Sequence, residues 1–134
     1  MAILGIDFGQ KRIGLAIARR RLAFGYKTLS GADLDLLIEE ISQICQKEKV
    51  ERIIIGLAKT TKGELGFQAK KQQEFANKLK TKLDIPIVFQ DEILSTREAE
   101  RILAEQKIKG KRATAQKDAI AAQLILQTYL ESKR

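Results

Sequence analysis

The sequence has no histidine and no tryptophan, one cysteine, one proline, and only five Phe and two Tyr residues. Lacking histidine, the chain cannot build an imidazole general base, an imidazole metal ligand, or a Ser-His or Cys-His triad. Its one cysteine, Cys45, excludes an internal disulfide and any Cys-x-x-Cys metal or redox motif. Cys45 falls on an apolar helical stripe, where packing is its expected role. So few aromatic rings argue against a broad platform for stacking the bases of a single strand. No apolar run approaches the length that crosses a bilayer, so no membrane association is expected. The opening Met1 to Ile6 lacks a basic leader and a small-residue cleavage site, and Asp7 interrupts it; a cytoplasmic chain is expected. Chemistry, if present, must rest on carboxylates, lysines, arginines or hydroxyls.

Charge is plentiful. Lys plus Arg number 25 against 17 Asp plus Glu, a net +8 that favours polyanionic partners such as nucleic acid. A chain of 134 residues is expected to form one domain spanning 1–134, long enough for a single continuous core.

The hydrophobic pattern predicts three closely spaced strands at Ala2 to Asp7, Ile13 to Ala18 and Leu22 to Leu29, with Gly9 to Arg12 as a turn. Connections this short require an antiparallel meander, because parallel neighbours need crossovers of a dozen residues or more. From Asp33 to Lys47, Leu34, Leu37, Ile38, Ile41, Ile44 and Cys45 recur at steps of three and four and predict an amphipathic helix. Arg52 to Gly56 reads as a buried parallel strand, Thr60 to Gly66 as a loop, Gln68 to Leu83 as a helix, and Ile87 to Phe89, opened by Pro86, as another strand. Ser95-Thr96-Arg97-Glu98 matches a capping box and predicts a helix start. Lys107 to Arg112 reads as a basic connecting loop, and Ala119 to Leu130 as a buried helix with Asp118 in its opening turn. Right-handed crossovers then give an α/β fold: one five-stranded mixed sheet, three antiparallel strands followed by two parallel ones, with helices on both faces.

In such a sheet ligands gather beyond the carboxyl ends of the parallel strands. Asp7 ends the first strand, Asp91 and Glu92 follow the fifth, and Asp118 opens the last helix, so acids distant in sequence are expected to meet at one sheet edge. Hard divalent cations take oxygen ligands, and Mg²⁺ is commonly held by a few carboxylates with water and substrate phosphate. A pair of such ions can activate water and stabilise the leaving oxygen of a phosphodiester without histidine. Alone, Asp91, Glu92 or Asp118 would read as an ordinary loop or helix-start acid. It is their convergence with Asp7 that points to a site.

The run Gly5-Ile6-Asp7-Phe8-Gly9-Gln10-Lys11-Arg12-Ile13-Gly14-Leu15-Ala16 resembles the first motif of the YqgF/RuvX family, known by the names Holliday junction resolvase and pre-16S rRNA processing nuclease. Ile54-Ile55-Gly56-Leu57 with Gly63 to Gly66 resembles its second block. Asp91-Glu92-Ile93-Leu94-Ser95-Thr96 resembles its third, and Lys117-Asp118-Ala119-Ile120-Ala121-Ala122 with Leu124-Ile125-Leu126 its last. The similarity spans essentially the whole chain in order. It implies an RNase H-like fold, a hydrolase acting on structured nucleic acid, and an acidic site at Asp7, Glu92 and Asp118 holding Mg²⁺ or Mn²⁺, expected as two ions. Lys11, Arg12 and Lys117 are the expected phosphate-binding residues. The implied substrate is the 5′ end of pre-16S rRNA, with branched DNA as the alternative; a monomer and a homodimer both fit. Three positions depart from the pattern: Ala58 where proline is usual, Ile93 where arginine follows the Asp-Glu pair, and Ala18-Arg19 where Ser-Asp is common. Isoleucine cannot replace a guanidinium that holds phosphate or orients an acid.

Two other classes compete. A nucleotide phosphotransferase of the actin and sugar-kinase type would need a second Asp-x-Gly hairpin, which is absent, and Gly9-x-x-x-x-Gly14 is followed by Leu15 rather than the Lys-Ser/Thr of a P-loop. A non-catalytic nucleic-acid or ribosome-associated module would use the basic face alone.

Overall fold

The computed structural model describes residues 1–9, 11–58, 66–92 and 111–132, with side chains except at 92 and 111–118. The elements are β1 (Ala2–Phe8), β2 (Arg12–Ala18), β3 (Ala23–Ser30), α1 (Leu34–Glu48), β4 (Val50–Ala58), α2 (Phe67–Lys82), β5 (Ile87–Glu92) and α3 (Lys111–Ser132). The helix expected from Ser95, the loop from Thr60 to residue 65, and Ile93 lie outside the described residues. Among the described residues no helix is long and apolar enough to cross a membrane.

The strands form one sheet in the order β3-β2-β1-β4-β5. The first three are antiparallel, while β4 runs parallel to β1 and β5 parallel to β4, which is the mixed topology that the loop lengths dictate. Helix α1 starts where Asp33 Oδ1 accepts the N–H of Leu36 at 3.1 Å. It ends at Lys49, whose left-handed backbone (φ 56°) turns the chain directly into β4.

The two faces of the sheet are built differently. Leu4, Ile6, Ile13, Leu15, Ile53 and Ile55 pack with Leu37, Ile41, Phe75 and Leu79 of α1 and α2 into a core of branched and aromatic side chains. The Cys45 thiol belongs to this core, and burial pushes its pKa up to about 11, as suits packing rather than reactivity. The opposite face presents small residues at Ala16, Ala18 and Ala23, onto which Ala122, Ile125, Leu126 and Tyr129 of α3 pack. Glycine is required at the crossing point: a Cβ on Gly5 would stand 2.8 Å from Leu126 Cβ and 3.2 Å from the Ala122 carbonyl oxygen.

Two of the boundaries that differ from those read in the sequence bear on the site. Asp91 and Glu92 do not follow β5 but form its last two residues, in register with Leu57 and Ala58. Backbone pairing with β4 carries the strand beyond the end of its apolar run. Helix α3 begins at Lys111, not near Asp118, so Lys111 and Arg112 are helical rather than loop, and Asp118 is the helix's eighth residue. Ala113, Ala115, Gln116 and Lys117 are good helix formers with no apolar stripe, so periodicity signals the helix only where it reaches the sheet.

Candidate active site

The site is built around the carboxyl end of β1. Asp7 pairs with Gly14 of β2, and on the other side Gly56 stands alongside it, one step beyond the Ile6–Ile55 pair. Side chains alternate between faces along a strand, so half-buried Asp7 shares with Gly5 the face that α3 covers, while Ile6 and Phe8 belong to the α1–α2 side. Its neighbours in that row on the two adjoining strands are both glycines.

Gly56 pairs with Gln90, and Ala58 with Glu92, so position 92 lies one same-face step beyond the Asp7 row. Along β5, Ile87 and Phe89 pack against the α1–α2 core and Val88 against the α3 side. The same alternation assigns position 92 to the face of Asp7 and exposed Asp91 to the opposite face.

Helix α3 runs antiparallel to β1. Tyr129 Oη accepts from Arg52, level with Ile3 on β1, whereas Ala122 and Leu126 lie over Gly5. The helix crosses the sheet obliquely, with Ala119 packed on Gly25 of β3 and Ala122 and Leu126 on Gly5 of β1, and Asp118 stands one turn before Ala122, on the side of the carboxyl end of β1. The side chains of Glu92, Lys117 and Asp118 lie outside the described residues; only their backbone positions enter this geometry. Among the described residues no three acidic side chains are grouped closely enough to hold a metal ion.

Lys11, in the turn leading into β2, and Arg12, the first residue of that strand, are exposed. Gly9 donates its N–H to the Arg12 carbonyl at 3.2 Å, and Gly31 donates to that of Lys11 at 2.9 Å. Only glycine fits at position 9, where a Cβ would lie 2.7 Å from the Arg12 oxygen.

One pair of residues escaped the sequence reading. Gln72 is 1% exposed in the middle of the apolar face of α2. Its Oε1 accepts the Ala58 N–H at 2.8 Å, and its Nε2 lies 3.5 Å from the Phe8 carbonyl, which also accepts from Gln68 Nε2 at 2.7 Å. The ends of β1 and β4, beside Asp7 and Gly56, are thus tied to α2. Phe8 adds a stacked contact with Phe75, ring centroids 4.3 Å apart. The available signal was a polar residue at Gln72 within the Ala69, Phe75, Ala76, Leu79 stripe.

The family model for RuvX, described as Holliday junction resolvase, matches residues 1–132. The chain belongs to the RuvX family. A relative from Syntrophomonas wolfei named "Putative pre-16S rRNA nuclease" is 40% identical over 133 residues, covering 98% of this chain and 94% of its own. Another of the same name, from Caldanaerobacter subterraneus subsp. tengcongensis, is 39% identical over 138 residues and covers 100% and 99%. Among solved structures, Thermus thermophilus RuvC in complex with a Holliday junction superposes with a TM-score of 0.62 at 15% identity, covering 99% of this chain and 96% of that one. The fowlpox virus resolvase superposes with a TM-score of 0.59 at 13% identity, covering 98% of each. At these identities the likeness is one of fold, and it makes the RuvX sheet RNase H-like. RuvX membership places the chain among hydrolytic nucleases and sets aside the phosphotransferase reading.

Proposed function

We propose that this chain is a divalent-metal-dependent endonuclease that trims the 5′ end of pre-16S rRNA, with Asp7, Glu92 and Asp118 as its metal ligands. The observation carrying this reading is the course of α3: antiparallel to β1 on the face of Asp7, it has the Asp118 backbone one turn before the Gly5 crossing, on the face to which position 92 also belongs. The donor chemistry fits Mg²⁺ or Mn²⁺, since all three groups are hard carboxylate oxygens and glycines at 14 and 56 leave room beside Asp7. When bound, a pair of such ions supplies activation of water and charge stabilisation at the leaving oxygen. The chain's own residues do the rest. Lys11 and Arg12 attract the substrate phosphates at the turn, with Lys117 beside Asp118 as a third cation. Gln68 and Gln72 fix the Phe8 carbonyl and so the end of the strand that carries Asp7.

The rRNA substrate is supported by relatives of that name at 40% and 39% identity over nearly the full chain. A second reading, cleavage of four-way DNA junctions, is favoured by the description of the family model. Purified protein with Mg²⁺ or Mn²⁺ should cut a pre-16S 5′-leader transcript at a defined position and a four-way DNA junction more slowly. Preferred cutting of the junction would establish the second reading. Binding of both without cutting either would overturn both and leave a binding module.

A further inference from the structure

Residues 8–32 contain six cations, Lys11, Arg12, Arg19, Arg20, Arg21 and Lys27, and no acid, so most of the net +8 of the chain resides in the β2–β3 hairpin. All six are exposed. They lie on the β2–β3 side of the sheet: Lys11 and Arg12 at the active-site end, Lys27 on the outermost strand β3, in register with Leu15 of the α1–α2 face, and the three arginines at the far tip. Arg19 is neutralised by an acid. Its guanidinium pairs with Glu48, which also accepts from Tyr26 Oη at 2.8 Å. Arg20 and Arg21 face no acid among the described residues.

At the tip, Ile17 and Arg19 to Leu22 enclose, with Phe24, a depression of about 720 Å³. Phe24 and Leu22 are 61% and 63% exposed beside the three arginines whose chains help to line it. Guarding a sheet edge against strand pairing takes a charge or two, and it would remove an exposed ring rather than keep one. A second copy of this chain would bring six arginines together, which disfavours self-association. Phosphates beside a flat apolar ring match a nucleic-acid strand, one base on Phe24 and the backbone on the arginines.

We infer that the β2–β3 edge is a nucleic-acid track leading from the active-site turn to the hairpin tip, where Arg20 and Arg21 hold phosphates and Phe24 stacks an unpaired base. Arg12 and Ala18 are about 20 Å apart along the strand, or about six stacked base steps. The track therefore selects substrates with an unpaired segment roughly that far from the cut. This inference deepens the nuclease reading and rests on it for its direction, though not for its test.

The test measures binding in excess EDTA, where metal-dependent cleavage does not intervene. Probes are a fluorescent 20-nucleotide single strand in RNA and in DNA form, a blunt 20-base-pair duplex, and vesicles containing phosphatidylserine. The R20A/R21A double variant should bind all three nucleic acids about tenfold more weakly in moderate salt. Its logarithmic salt slope should fall by about 1.4 to 1.8, the release expected from two phosphates. Phe24→Ser should cost about tenfold on the single strands and little on the blunt duplex. A charge-matched K80A/K82A variant, exposed on α2, should bind nearly as wild type. Every altered side chain is exposed, and unchanged circular dichroism and melting temperature will show that the fold is kept. The inference is overturned if R20A/R21A retains wild-type affinity and slope, if K80A/K82A loses as much, or if the hairpin changes abolish vesicle binding alone. Wild-type protein that binds as described yet never cuts with Mg²⁺ or Mn²⁺ would sink the nuclease reading and leave the track standing.

Discussion

The backbone N–H of Ala58 donates to Oε1 of Gln72 at 2.8 Å, a buried side chain of α2 closing off the end of β4. Because Gln72 Nε2 also lies 3.5 Å from the Phe8 carbonyl, one amide spans the two strands that flank the active-site edge. Replacing it with leucine keeps the volume but leaves the Ala58 N–H buried without this partner. Urea unfolding of Gln72→Leu should show a loss of about 1–3 kcal/mol. Cleavage should fall further than the lost stability explains, because Asp7 adjoins the freed segment. Full activity in a destabilised variant would confine Gln72 to a structural role.

Gly5 sits where α3 meets the sheet, with Leu126 Cβ only 2.8 Å from where its own Cβ would be. Gly5→Ala must push α3 outward, at a cost of about 1–3 kcal/mol. The same shift would carry the Asp118 segment away from β1. We expect a lowered melting temperature together with a raised metal concentration for half-maximal cleavage. An unchanged metal requirement would mean that α3 does not bring a ligand.

Lys49 is the one non-glycine residue with positive φ among the described residues. A Cβ is strained there, so Lys49→Gly should stabilise the fold by up to about 1 kcal/mol, measured by urea unfolding. Destabilisation would show that the lysine side chain contributes more than its backbone costs.

Glu48 joins α1 to the tip of the hairpin, and its pKa is lowered, first by the hydrogen bond from Tyr26 and then by the charge of Arg19. A carboxyl whose folded pKa lies below its unfolded value contributes stability above the ordinary carboxylate range, and that contribution is lost as pH falls through the folded value. The stability difference between wild type and Glu48→Gln should therefore be present at neutral pH and shrink in acid. A difference that persists in acid would assign the effect to packing.

Much of the fold was legible because the chain advertises it. Alternation in β1 and β2, the four-residue rhythm of α1 and the short connections together leave little choice of topology. The end of β5 and the start of α3 were not legible, for a common reason: Asp91, Glu92 and residues 111–117 take their structure from backbone pairing and helix propensity, not from an apolar pattern. Within the site, Asp7 stood out as an acid ending an apolar strand, and Lys11 and Arg12 as the turn beside it. Gln72 stayed hidden, because a glutamine on a helix face reveals a buried role only when its two partners, Phe8 and Ala58, are brought to it by the sheet.

The central claim is that Asp7, Glu92 and Asp118 act as one metal site, and the most direct measurement is cleavage by Asp7→Asn, Glu92→Gln and Asp118→Asn, each titrated with Mg²⁺ and Mn²⁺ alongside Asp91→Asn. Amides keep the size of each side chain and remove its charge. The account predicts that each of the three variants binds nucleic acid normally but loses cleavage by at least about a hundredfold, that any two combined lose little more than one, and that Asp91→Asn, on the opposite face of β5, cuts nearly as wild type. Normal cutting by Asp118→Asn, or a dead Asp91→Asn, would contradict it.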